Sequence, residues 1–211
     1  NLALENPQFF TKSFTRENLA YHVIKTEDKL FKIEQILKKN PQSSIIYVRN
    51  RRSCIETSQQ LNQLGYKSTY YHGGLPSKEK EKNMQSWLEN KVQVMIATNA
   101  FGMGIDKDNV RLVVHFSPSQ SIENYYQEIG RAGRDGGESY TFLLWNKQEL
   151  ENLDRILNNQ IPSKTEYKNI VSYLYSTFQI AENDLPENVF QLHIQKIQNF
   201  TKTSLAKIRN V

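Results

Sequence analysis

Hydrophobic positions change period along this 211-residue chain. NLAYHVIK, from Asn18, alternates apolar and polar residues at period two, as a strand does. DKLFKIEQILKKN then sets Leu30, Ile33, Ile36 and Leu37 on one helical face. SIIYVRN, from Ser44, is a short continuous apolar run of the buried-strand type. RRSCIETSQQLNQLG follows as a helix with Cys54, Ile55, Leu61 and Leu64 on a shared face and Gly65 placed to stop it. KSTYYH reads as a third strand. PSKEKEKNMQSWLEN opens with proline at a helix start, turns Met84, Trp87 and Leu88 inward, and leaves its Lys/Glu run as a solvated face. VQVMIAT, VRLVVHF and ESYTFLLW add three strands, with SIENYYQEI as a helix between the last two.

Regular alternation of strand and helix predicts an α/β fold, a largely parallel sheet covered on both faces. Such sheets bind ligands beyond the carboxyl ends of their strands. The unusual clusters are expected at that edge: residues 49–52, 72–74, 98–106 and the region after His115. Beyond about Lys147 the pattern turns helical, with EYKNIVSYLYSTF and VFQLHIQKIQNF separated by polar turns containing Pro162 and Pro186. This tail reads as a small helical appendage or as the start of a further domain.

Composition narrows the setting. Hydrophobic residues make up 38%, which is globular rather than disordered. Lys and Arg outnumber Asp and Glu by 27 to 22, a net +5 that favours a polyanionic partner or simply a basic surface. The single cysteine, Cys54, allows neither an intrachain disulfide nor a cysteine cage for zinc, and an intracellular, cytoplasmic setting fits best. No apolar run reaches the roughly 18 residues of a membrane span. The chain opens without methionine and reads as a piece of something longer.

Two stretches carry candidate chemistry. QEIGRAGRDG holds Gln127, Arg131, Arg134 and Asp135 among three glycines. Arginine is planar, permanently charged and able to grip phosphate oxygens with two donors, so Arg131 and Arg134 are candidates to hold a phosphoryl group, with Asp135 orienting one guanidinium. A glycine-rich surface turn is the plainer alternative. In VMIATNAFGMGIDKDNVR a buried-looking strand ends at Thr98, and Gly102 and Gly104 flank Met103 before Asp106. Hydroxyls and backbone amides at a strand end form anion-binding concavities, and a carboxylate beyond them can accept from a ribose hydroxyl; a turn with an incidental aspartate is again the alternative.

Together, ATNAFGMGIDKDNVR, VVHF and SIENYYQEIGRAGRDG resemble the fifth and sixth motifs of superfamily 2 helicases, specifically the RecQ family of DNA helicases. SIIYVRNR resembles that family's fourth motif, and YYHGGL with the lysine-rich helix resembles the segment after it. The resemblance covers residues 18–147, preceded by a connector over 1–17 and followed by a helical accessory region over 148–211. It implies a second, RecA-like (P-loop NTPase-type) lobe of an ATP-driven motor. ATP with Mg2+ would be held mostly by a first lobe, and single-stranded or junction DNA would be the partner, with roles in DNA repair and recombination.

Carried over by position, Arg134 resembles the arginine finger, Arg131 its companion at the phosphates, and Gln127 a member of their network. Asp106 and Gly104 resemble the nucleotide-side residues of GMGID, and Thr98 a DNA-backbone contact. Arg49, Asn50 and Arg51, with His72 and Gly73, sit at strand ends where a nucleic-acid track would run. A buried or capped His72 is an equal alternative. Arg52 and Lys107 read as solvated, and Tyr125 and Tyr126 as core or interface rather than base-stacking groups.

The departures matter too. VRNRR stands where family members often have a cysteine and a serine. No GxxxxGK[ST] loop or Asp-Glu box is present, so this chain alone is expected to be inert toward ATP. The RecQ zinc module's four cysteines are missing after Lys147, and zinc is not expected there. Gln127 and Ala132 stand where RNA helicases of the DEAD-box type usually carry a histidine-arginine opening and a threonine, which favours DNA over RNA. A non-catalytic nucleic-acid-binding module that kept the fold is the rival from another class.

Overall fold

The computed structural model describes residues 15–101, 106–181, 184 and 189–211. They fall into two compact units that divide between Asn146 and Lys147. The first alternates β1 (Leu19–Lys25), α1 (Lys29–Lys39), β2 (Ser44–Tyr47), α2 (Arg51–Gln63), β3 (Ser68–Tyr71), α3 (Ser77–Leu88), β4 (Val94–Ala97), β5 (Leu112–His115), α4 (Ile122–Ile129) and β6 (Ser139–Trp145). The sheet runs β1-β6-β5-β2-β4-β3, and every pairing is parallel.

Period-two geometry sends successive residues of the central strands to opposite faces, so these strands must be apolar on both. Ile46, Ile96 and Val114 join Ile33, Leu37, Cys54 and Leu61 beneath α1 and α2. Ile45, Met95 and Val113 join Trp87, Phe101, Ile129 and Ala132 on the side of α3 and α4. The result is the three-layer α/β fold that the alternation implies. Each fully buried Leu or Ile contributes about 1.5–3 kcal/mol relative to exposure, so these two layers hold the unit together.

Two faces differ from expectation. On α2 the inward residues are Cys54, Thr57, Ser58 and Leu61, while Leu64 is exposed at the helix end, just before Gly65 reverses the chain at φ +89°. On β1 only Leu19 is buried, with Tyr21 and Val23 exposed. An edge strand pairs on one side only, so its apolar positions need not find a core.

The second unit consists of α5 (Lys147–Gln160), α6 (Lys164–Phe178), α7 (Ile194–Thr201) and α8 (Leu205–Ile208). Of VFQLHIQKIQNF only the part from Ile194 is helical, and KQELENLDRILNNQ supplies a helix that the sequence reading did not single out. Ile170, Ile197 and Ile208 make its small core. Ser163 and Glu166 form a reciprocal capping box at the start of α6, and Lys207 binds both oxygens of Glu166 at 2.9 Å. Among the described residues no helix is long and apolar enough to cross a membrane.

Candidate functional site

The loops beyond β2, β3 and β4 enclose a cleft of about 610 Å³ lined by residues 49–52, Gly73 and 98–100. Asn50 caps α2, its side chain accepting from the Ser53 amide at 2.9 Å, so its oxygen is committed to the helix. Arg49, Arg51 and Arg52 are exposed around that cap. Arg52 is turned away onto Glu56 at 2.7 Å and is solvated as expected. Arg51 lies across the backbone of Gly74, where an added Cβ would come within 2.5 Å of its Nη1. Thr98 is buried in the cleft floor, and His72 is buried too, with both ring nitrogens unpaired in a stack on Tyr70.

The arginine turn is elsewhere. α4 starts at the Ser121 cap and runs back across the sheet, so the turn after Gly130 lies beside the amino ends of the strands, not beyond their carboxyl ends. The Gly133 amide donates to Val110 O just before β5 at 2.8 Å. Asn18 Nδ2, just before β1, donates to Gly133 O and Gly137 O at 2.8 and 3.0 Å, and Arg16 Nη2 donates to Ala132 O at 3.1 Å and also to Gly133 O. Ser139 Oγ, at the head of β6, donates to Gly137 O at 3.0 Å. Gly133 adopts φ +62°, and a Cβ there would meet Asn18 Nδ2, Ser139 Oγ and Gly137 O at 2.6–2.8 Å, so the turn demands glycine at this position.

Within the turn the two arginines part ways. Arg134 is surface-exposed and reaches Asp106 Oδ1 at 3.0 Å, which joins the two quoted motifs in space. Arg131 points inward against the Tyr47 hydroxyl, with its Nε and Nη1 enclosed and unpaired. Burial raises the Tyr47 phenol far above its ordinary range, with Arg131 and Glu128 pulling in opposite directions. Asp135 orients neither motif arginine: it binds Arg111 in a bidentate pair, Oδ1 to Nη1 at 2.9 Å, and accepts from the Gly137 amide at 3.0 Å. Arg111 first and Gly137 second hold its carboxyl below the ordinary aspartate value. Gln127 is exposed on α4, and Gly104 lies outside the described residues.

A buried carboxylate fixes the root of this turn. Glu128, in the last turn of α4, lies 2.9 Å from His115 Nε2 and accepts from Ser119 Oγ at 2.7 Å. His115 in turn stacks on Tyr47 at 5.3 Å and meets the tilted ring of Tyr125 at 4.8 Å. Tyr125 is therefore packed in the interior, while Tyr126 is exposed. Lys107 is not the solvated residue expected. It is buried over the Trp87 ring, donating to Leu88 O at 3.0 Å and Asn90 Oδ1 at 2.8 Å, because the end of α3 leaves carbonyls to satisfy. That contact anchors the segment carrying Asp106. Arg16, Asn18, Arg111, Glu128 and His115 escaped the sequence reading. Only Glu128 had a visible signal, a charge at a position where the amphipathic pattern of α4 turns inward.

Residues 28–136 match the model of the helicase conserved C-terminal domain. The chain belongs to that family. Among curated relatives, 161 residues are 42% identical to "ATP-dependent helicase SGS1" of Saccharomyces cerevisiae, covering 74% of this chain and 11% of that protein. Over 191 residues it is 36% identical to "RecQ-like DNA helicase BLM" of Xenopus laevis, covering 86% and 14%. Over 138 residues it is 39% identical to "ATP-dependent DNA helicase RecQ" of Bacillus subtilis, covering 65% and 23%. It belongs with the RecQ-type members of the helicase family, as its motifs imply. The chain spans between 11% and 23% of the length of these curated relatives. Among solved structures, a DEAD box protein from Methanococcus jannaschii shares 25% identity at a TM-score of 0.57, covering 66% of this chain and 39% of that one. The DEAD-box protein SrmB of E. coli shares the fold at a TM-score of 0.58 and 23% identity, over 67% and 87%.

Proposed function

We propose that this chain is the C-terminal motor lobe of an ATP-dependent DNA helicase. Residues 18–147 form the lobe, and 148–211 form a helical accessory region that needs no zinc. The reading rests on one observation above all: a turn pinned to the amino ends of β1, β5 and β6 presents Arg134 at the surface while enclosing Arg131.

The sequence holds neither a phosphate loop nor an Asp-Glu box, so ATP and its Mg2+ are assigned mainly to a first lobe. An exposed guanidinium on a rigid turn fits a phosphate approaching from outside. Bound there, the nucleotide supplies a γ-phosphoryl whose transfer is driven by positioning and charge. Arg134 exchanges Asp106 for the phosphate oxygens and stabilises the charge that builds on them, which leaves Asp106 beside the nucleotide. Arg131 sets the pose of the turn from within, and Gln127 lies on the same helix, open to the opposed lobe. In the cleft, Arg49 and Arg51 take the backbone phosphates of single-stranded DNA across the Thr98 loop, with Gly73 allowing close approach. His72, buried in this state, supports that wall.

In a protein containing both lobes, Arg134→Ala is expected to abolish DNA-stimulated ATP turnover while leaving single-stranded DNA affinity intact. Unchanged turnover refutes the finger. Purified 1–211 is expected to hydrolyse no ATP with or without DNA.

A further inference from the structure

The basic cleft and the arginine turn belong to opposite ends of the sheet, yet one side chain is tied to both. Tyr47 is the last residue of β2, almost wholly buried, and two residues later the same chain enters the cleft as Arg49. Its hydroxyl donates to Phe101 O at 3.2 Å. The Phe101 amide donates back to Thr98 O at 2.9 Å, so this hydroxyl secures the loop that forms the opposite cleft wall. On its other side the same oxygen meets the Arg131 guanidinium.

The Arg131 end is poised to change. Two of its nitrogens are enclosed without partners, an arrangement that costs free energy and favours any shift that pairs them. The Tyr47 ring cannot drift with it, because it is stacked on His115 at 5.3 Å and 18°, and Glu128 holds His115 in place. Movement of the 98–101 loop is therefore felt at the hydroxyl alone: the bond to Phe101 either stretches or is released, and Arg131 answers.

We propose that Tyr47 is a positioning residue that reports the filling of the basic cleft to Arg131, through a hydroxyl shared between Phe101 and the guanidinium. The proposal rests on the cleft being a single-stranded DNA site. A backbone phosphate held between Arg49 and the Thr98 loop displaces Phe101, the bond from the fixed Tyr47 hydroxyl to Phe101 O is released, and the Arg131 guanidinium re-pairs beneath the pinned turn that carries Arg134. DNA binding and nucleotide chemistry then share one physical element with two arrangements, which is what coupling between distant sites requires.

The test follows two sites in one titration. Isotope-labelled 1–211 is titrated with a thymidine oligonucleotide of about a dozen residues, and the Arg49, Thr98 and Phe101 amides are read by NMR beside the enclosed Arg131 Nε–H. In the wild-type chain all four are expected to shift along one saturation curve. In Tyr47→Phe the cleft amides shift with unchanged affinity while Arg131 stays still. A filled cleft with a silent Arg131 in the wild type, or a Tyr47→Phe variant that keeps the Arg131 response, overturns the relay. Cleft amides that do not move at saturation sink the DNA reading beneath it and take the relay with it. The wild-type result stands even if the variant melts early. In a two-lobed protein the same variant is expected to lose about tenfold in DNA stimulation of ATP turnover with basal turnover unchanged, a change that a purely structural role does not make.

Discussion

The arginine turn and the basic cleft are both built from arginine and glycine, yet they are held in opposite ways. At the turn, backbone groups of 133–137 are fixed from three strand ends by Val110, Asn18 and Ser139, and Arg111 pins Asp135. At the cleft, Arg49, Arg51 and Arg52 stand exposed around a helix cap, and the tightest constraint is the packing of Arg51 over Gly74. Stabilising a transition state requires charge already in place, because reorganisation during reaction costs rate. Following a strand that slides requires side chains that can release one phosphate and take the next. Rigidity and compliance are thus allotted to different edges of one sheet.

The comparison is broken most severely at Arg134. We predict a fall of about 10³ or more in turnover for Arg134→Ala, roughly 4 kcal/mol of transition-state stabilisation, with no matching fall for Arg49→Ala. Equal losses from both substitutions, measured as kcat in a two-lobed protein, would erase the division of labour. Glycine offers the next test. Gly133→Ala forces a side chain into the left-handed region and against Gly137 O, and is expected to destabilise by about 2 kcal/mol or more. Gly73→Ala meets only Ala100 Cβ at 3.6 Å and is expected to leave the melting temperature nearly unchanged. Thermal melts of the two variants side by side measure the difference in rigidity directly.

Much of this was legible in the chain, and what was not has a physical reason. The central strands SIIY, VMIA and LVVH are buried on both faces, so they could only be apolar runs. QEIGRAGRDG and the stretch ending in Asp106 were visible as separate anomalies, but their meeting through Arg134 and Asp106 depends on how α4 recrosses the sheet, which no local pattern encodes. For the same reason the turn was expected at the carboxyl edge and is found at the other. Lys107 looked solvated because lysine usually is; the free carbonyls ending α3 and the Trp87 face give it a reason to be buried. Arg16 and Asn18 matter through carbonyls more than a hundred residues away, and short polar residues before a strand carry no mark of that use. In the second unit α5 buries no residue, so its apolar positions gave a helical period without an obvious inward face.

Smaller effects sharpen the contrast. For every DNA phosphate that the cleft no longer grips, the slope of log affinity against log salt for single-stranded DNA is expected to fall by about 0.7. Arg49→Ala and Arg51→Ala should therefore flatten the salt dependence as well as weaken binding, while Arg134→Ala leaves it unaltered. A titration series in potassium chloride checks this, and a reduced slope in Arg134→Ala would place that residue on the DNA track instead.

Acid should separate the two regions by the smallest margin. Asp135 has a folded pKa below its ordinary value of 3.8, chiefly through its hydrogen bond from Arg111. A lowered carboxylate pKa means that the pair's stabilisation is complete above the unfolded value and is lost as pH falls below it, through the lower folded value. Among the described residues the cleft is lined by no carboxylate and has nothing comparable to lose. As the pH falls through and below that ordinary value, the Gly133 and Gly137 amides are expected to shift ahead of those at Arg49 and Thr98 in NMR spectra of 1–211. Substituting Arg111 by Met should raise the pH at which the turn responds, because Asp135 then titrates nearer its ordinary value. If the cleft moved first, the turn would not owe its rigidity to the Arg111–Asp135 pair, and its stiffness would have to come from the Asn18 and Val110 bonds alone.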